Sequence, residues 1–133
     1  LTFKFLDIND SISNNELINI LQNVKYFILP SYYEGNPKAL LEAMSAGCIV
    51  FASNIKNHNE IINHKVNGFL FDLQRGSLKD VITQVLNNSK FNKEEFEFIS
   101  KNAVNTINEE YSISKIFNEE KNMLNDLVNN GKY

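Results

Sequence analysis

The sequence has a single cysteine, Cys48, so no disulfide can form within one copy of the chain. It sits at the head of an apolar run, CIVFA, and reads as a small buried hydrophobe. One thiol is compatible with a reducing compartment. Only two histidines are present, His58 and His64, six apart and with no cysteine at ligand spacing. That excludes any ordinary zinc site, and no metal is expected. No apolar run approaches the ~20 residues a membrane-spanning helix needs. There is no positive excess either. The net charge of −3 gives nucleic acid or an anionic membrane no general hold on the chain. No signal-peptide pattern is seen, and the chain opens at Leu1 without an initiator Met, as an excised domain would.

What is present suits one globular domain. The length of 133 residues is enough for a real core, and 43% of them are hydrophobic. FKFL (3–6) predicts a short strand. Ser13, with Glu16 three residues on, predicts a capping box before a helix carrying Leu17, Ile20 and Leu21. KYFIL (25–29) is a nearly unbroken apolar run, as in a strand covered on both faces. Pro37 to Ala46 follows as a helix that Gly47 stops. IVFA (49–52) is the next buried strand. A short helix over Asn59 to His64 turns Ile61 and Ile62 inward. After an Asn67-Gly68 turn, GFLF (68–71) makes another strand. Ser77 is expected to cap a helix through about Leu86, with Leu78, Val81, Ile82 and Val85 on one face.

Strands alternating with helices over short links predict an α/β fold with a parallel sheet. From Phe91 on, only helical periodicity remains. Phe96, Ile99, Ala103 and Ile107 belong to one helix. Ile113, Ile116, Phe117, Met123, Leu124 and Leu127 belong to a second, capped by Ser112. The expected organisation is one domain over 1–133, with an α/β core over 1–90 and C-terminal helices over 91–133. The outer face of those helices is acidic and polar, unlike a membrane-surface helix. Their apolar faces are expected to pack over the sheet or against a neighbouring domain; without such a neighbour the face of the last helix stands partly exposed and can drive self-association.

The chemistry concentrates at YFILPSYYEGNPKALLEAM. Open parallel sheets bind ligands where a strand hands over to a helix. Asn36 then Pro37 reads as N-cap then first helical residue, which would aim the amides of Lys38 and Ala39 at an anion. Lys38 adds a cation there. Glu34 precedes this anion site and Glu42 lies one and a half turns beyond the cap. Both suit hydroxyl donors flanking a phosphate, so the three features together fit a nucleotide sugar. On spacing alone, two solvated charges on a loop and a helix face are the favoured reading of both glutamates.

The segment EGNPKALLEAMSAG, with ILPS before it and CIVFAS after it, resembles the E-x7-E segment of the family-four retaining glycosyltransferases. NHNEIINHKVNGFLF and NELINILQNVKYFILPS resemble its flanks. The resemblance covers roughly residues 1–90. It implies most of the Rossmann-like C-terminal domain of a GT-B enzyme, a partial domain that binds a UDP- or GDP-sugar and needs no other cofactor. Glu34 matches the glutamate at the donor sugar and is the catalytic candidate. Glu42 matches the one that holds ribose hydroxyls. Gly35, Asn36, Pro37, Lys38 and Ala39 match the loop and helix start that meet sugar and diphosphate. Where many relatives have Gly-Phe-Gly, this chain has Gly-Asn-Pro, so the phosphate contact passes to Lys38 and Ala39.

The resemblance further implies that the N-terminal acceptor domain, and the Arg and Lys that steady the leaving diphosphate, lie outside this chain. The chain alone is then expected to be nearly inactive. The location implied is cytoplasmic, with any attachment to the inner face of a membrane made through the absent half. The alternative reading is a non-catalytic nucleotide-binding or assembly module of the same fold. Among other residues, Ser53 and Asn54 could touch a nucleotide. Tyr32 and Tyr33 read as partly buried loop aromatics, and His58 as solvated or capping. Asp72 reads as a turn former.

Overall fold

In the computed structural model, the structure describes residues 12–129, excluding the side chains of Ile113, Leu127 and Val128. The strand expected over Phe3 to Leu6 lies outside the described residues, as do the expected inward positions of Ile113 and Leu127. Helix α1 (Asn14–Asn23) leads into β1 (Tyr26–Leu29), α2 (Lys38–Ser45), β2 (Ile49–Ser53) and the one-turn α3 (Lys56–Asn59). β3 (Phe69–Phe71), α4 (Ser77–Asn87), α5 (Lys93–Glu110) and α6 (Ile113–Asn129) complete the order. The three strands form one parallel sheet in the order β1-β2-β3.

β2 is the centre of the molecule, and all five of its residues are buried. Its side chains alternate between two cores, as the period of a strand requires. Val50 and Ala52 join Leu21, Leu40, Ala43 and Met44 under α1 and α2. Ile49 and Phe51 join Phe69, Phe71, Val85, Phe96 and Ile99 under α4 and α5. The second core is aromatic, with Phe51 and Phe69 stacked at 4.9 Å between ring centroids. β1 is only half covered, so the apolar run at 25–29 is less enclosed than its composition predicts. Cys48 is buried, with Sγ 3.3 Å from the carbonyl of Leu21. Burial pushes its thiol pKa up, partly offset by its backbone hydrogen bond.

The helix ends show which local signals act as expected. Ser13 and Glu16 form the capping box: the Ser13 amide donates to Glu16 Oε2 at 2.9 Å and the Glu16 amide to Ser13 Oγ at 3.3 Å. α2 ends in a Schellman pair, Cys48 N–H to Ala43 C=O and Gly47 N–H to Met44 C=O. Gly47 takes the positive φ of +79° this ending needs. Ser112 Oγ accepts from the Lys115 amide, as expected of a cap.

Two boundaries differ from expectation. The short helix lies at Lys56–Asn59, not Asn59 to His64. Asn67 explains the shift, because its side chain intercepts the bonds a longer helix would use. Its Oδ1 accepts from the Asn63 amide at 2.8 Å and its Nδ2 donates to the Ile61 carbonyl at 3.1 Å. Ile61 and Ile62 are buried as expected. At α4 the cap is Gly76, at φ +93°, because the Ser77 hydroxyl is already accepting from the Asp72 amide at 3.0 Å.

Candidate functional site

β1 ends at Leu29, and Pro30 to Pro37 loops over its carboxyl end before α2 begins. The loop is tied at three points. Ser31 Oγ donates to Glu34 Oε1 at 2.6 Å, which fixes the carboxylate beside the strand end. The Ser31 carbonyl accepts from Ser53 Oγ, on the last residue of β2, at 2.5 Å. Asn57 Nδ2, on α3, donates to the carbonyls of Glu34 and Gly35 at 2.7 and 2.6 Å. Glu34 is therefore half-buried and held, while Gly35 and Asn36 lie exposed.

The start of α2 corrects the expected cap. Pro37, not Asn36, occupies the N-cap position, and no side chain caps the helix. The φ of −78° and ψ of 60° at Pro37 make an inverse γ-turn. That turn brings the Lys38 amide to the Asn36 carbonyl at 2.8 Å. The Lys38 N–H is thereby spent, and the expected anion contact from it falls away. The Ala39 amide keeps no acceptor among the described residues and lies on the exposed side of the first turn. Lys38 Nζ sits 3.5 Å from Glu42 Oε1, one turn along the helix. The lysine side chain is 71% exposed, so this is a weak i,i+4 pair, worth about 0.3–0.5 kcal/mol, that a stronger anion can break.

The neighbouring polar residues fall into different roles than their positions predict. Ser53 is fully buried and bonded to Ser31, so it supports the loop and cannot touch a ligand. His58 is fully buried, not solvated. Its Nδ1 lies 2.8 Å from the Ser53 carbonyl, which can only accept, so Nδ1 carries the proton. Nε2 is left buried with no partner among the described residues. Tyr32 and Tyr33 are 82% and 84% exposed, not partly buried. Asn54 donates to Asp72 at 2.9 Å and closes the turn after β3. A groove of about 430 Å³ lies elsewhere, between the α3–β3 segment and α5, lined by Glu60, Asn63, His64, Asn67, Thr106 and Glu110 among others; no E-x7-E residue reaches it. The chemistry of the E-x7-E segment, rather than concavity, marks the candidate site.

Sequence reasoning did not weigh Ser31 as a partner for Glu34, although a Ser with a Glu three residues on is a capping-box spacing. Nothing local marks Asn57, whose contact with the loop crosses from one βα junction to the next.

Residues 8–106 match the family of glycosyl transferases group 1. The chain belongs to that family. It is 33% identical over 117 residues to a UDP-Gal:alpha-D-GlcNAc-diphosphoundecaprenol alpha-1,3-galactosyltransferase of Escherichia coli, an alignment covering 87% of this chain and 29% of that enzyme. The chain thus spans under a third of the length of that relative. Among solved structures, Anabaena HepE in complex with UDP and glucose superposes with a TM-score of 0.72 at 20% identity, over 84% of this chain and 30% of HepE. The C-terminal domain of a Francisella tularensis group 1 glycosyl transferase, LpcC, gives 0.65 at 22% identity, over 84% of this chain and 53% of the domain. The expected fold, a Rossmann-like parallel sheet flanked by helices as in part of a GT-B C-terminal domain, is the observed fold. No helix among the described residues is long and apolar enough to cross a membrane.

Proposed function

We propose that this chain is the donor-binding part of a retaining glycosyltransferase, and that it holds a UDP- or GDP-sugar whose sugar passes to a hydroxyl acceptor. The observation that carries the reading is the pinned loop. Glu34 is fixed by Ser31 at the carboxyl end of β1, and Glu42 follows on α2 beyond an unpartnered first-turn amide. Glu34 sits at the donor sugar and Glu42 accepts from ribose hydroxyls. Gly35, Asn36 and Pro37 shape the turn between them. The Ala39 amide and the Lys38 ammonium face the diphosphate, an anion at a helix N-terminus. In the transfer, the anomeric carbon–oxygen bond to diphosphate breaks and a bond to the acceptor oxygen forms on the same face. The acceptor proton leaves with the diphosphate, so no protein nucleophile is needed. The acceptor site belongs to the remainder of a longer protein, and so does any hold on the inner face of a membrane from the cytoplasm.

Calorimetric titration with UDP, GDP, UDP-glucose, UDP-N-acetylglucosamine and GDP-mannose tests this. One nucleotide series should bind, and Glu42→Ala should weaken it about tenfold, the loss of a hydrogen bond to a charged group. No binding of any of the five at millimolar concentration, by this chain and by the longer protein, would sink the donor-site reading.

A further inference from the structure

We propose that Asn57, which lies outside the E-x7-E segment, is the positioning residue that aims two loop amides at the donor diphosphate; this rests on the donor-site reading above. The two N–H bonds of the Asn57 carboxamide go to two consecutive carbonyls, Glu34 at 2.7 Å and Gly35 at 2.6 Å. Every peptide described is trans. In a planar trans peptide the N–H points opposite to the C=O of the same unit. Turning both carbonyls toward α3 therefore turns the amides of Gly35 and Asn36 away from it, side by side. Neither amide has an acceptor among the described residues, and both residues are exposed. Two such free amides on the open side of the loop can each donate to a different oxygen of a diphosphate. A cap at Asn36 would have organised this loop from within, but the Asn36 side chain makes no cap bond. Asn57 does so from the next βα junction, and its own backbone is set by α3, which hangs from the end of β2.

The test uses Asn57→Ala and Asn57→Asp in this chain, titrated with UMP, UDP and UDP-glucose by calorimetry and by amide chemical shifts. The aspartate keeps the shape of the side chain but has no hydrogen to donate. Both variants should lose about tenfold in affinity for UDP and UDP-glucose, at two hydrogen bonds of ordinary strength, with little change for UMP. The Gly35 and Asn36 amide resonances should move in the ligand-free variants while those of Ile49 to Ser53 stay in place. A role in packing alone predicts that Asn57→Asp behaves as wild type, and that result overturns the proposal. So does an equal loss for UMP and UDP, or unmoved Gly35 and Asn36 amides. A wild-type chain that binds none of the three nucleotides removes the donor-site reading first and this proposal with it, a pattern distinct from wild-type binding that survives both substitutions.

Discussion

At the scale of single residues, side chains that bond to backbone set the geometry. His64 is an example away from the candidate site. Its Nδ1 accepts from the Leu70 amide at 3.0 Å, which helps to seat β3. Burial, then the nearby Lys65 charge, holds its pKa below the usual histidine value. Protonation is thus less favourable in the folded chain than in the unfolded one. The stability this neutral ring provides is fully present above the unfolded pKa of about 6.5, and is lost as pH falls below it and through the lowered folded value. His64→Asn keeps an acceptor near the same place and removes the titration. Thermal melts at pH 7.5 and pH 5 should show a smaller acid-induced drop in Tm for that variant than for wild type. Equal drops would show that His64 plays no part. The same distinction separates what was legible in the sequence from what was not. The Ser13–Glu16 box lies within three residues, so spacing reveals it; the glutamates of E-x7-E stood out by family resemblance and not by spacing, and the Ser31–Glu34 bond was not foreseen. The burial of His58 and the reach of Asn57 depend on segments brought together only by the sheet. The cap at Asn36 failed because the turn at Pro37 offers a competing backbone bond, which no side-chain pattern reveals.

At the scale of elements, the α3–β3 segment approaches β2 closely at Gly68. A Cβ placed on Gly68 would lie 2.6 Å from Val50 Cγ2 and 3.3 Å from Ile62 Cγ2. Val50 is fully buried on the central strand, so neither side has room to give. Asn67 beside it donates to the Ile61 carbonyl and to Thr106 Oγ1, tying the α3–β3 segment to α5. Gly68→Ala should cost about 1–3 kcal/mol by overpacking, a drop in Tm of several degrees, measured by calorimetry. An unchanged Tm would mean the strand shifts freely at this join. Asn67-Gly68 is visible in the sequence as a turn. The reason glycine is needed there is not the turn but the approach to Val50, a contact between strands that local chemistry does not announce. The alternation of strands and helices was readable because burial on both faces leaves a run such as IVFA, and the two cores on either side of β2 bear that out.

At the scale of the whole molecule, α6 carries an exposed apolar row. Ile116, Phe117, Met123 and Leu124 fall on one face of that helix by their spacing, and all are exposed, Phe117 by 64%. The expected exposure of the C-terminal apolar face is therefore observed. Sedimentation at increasing concentration should show self-association of this chain, and Phe117→Glu with Leu124→Glu should return it to a monomer without changing its Tm by more than a few degrees. A monomer at every concentration in wild type would count against a role for this face. The sheet itself has a kinetic consequence. Among the described residues every strand pairing is parallel and no two strands are joined by a hairpin, and Tyr26 reaches Ile49 only after the chain has passed through α2. The central strand cannot recruit either neighbour until a long loop has closed. Folding is therefore governed by the search for distant partners rather than by local zippering, and should be slow for a chain of this length.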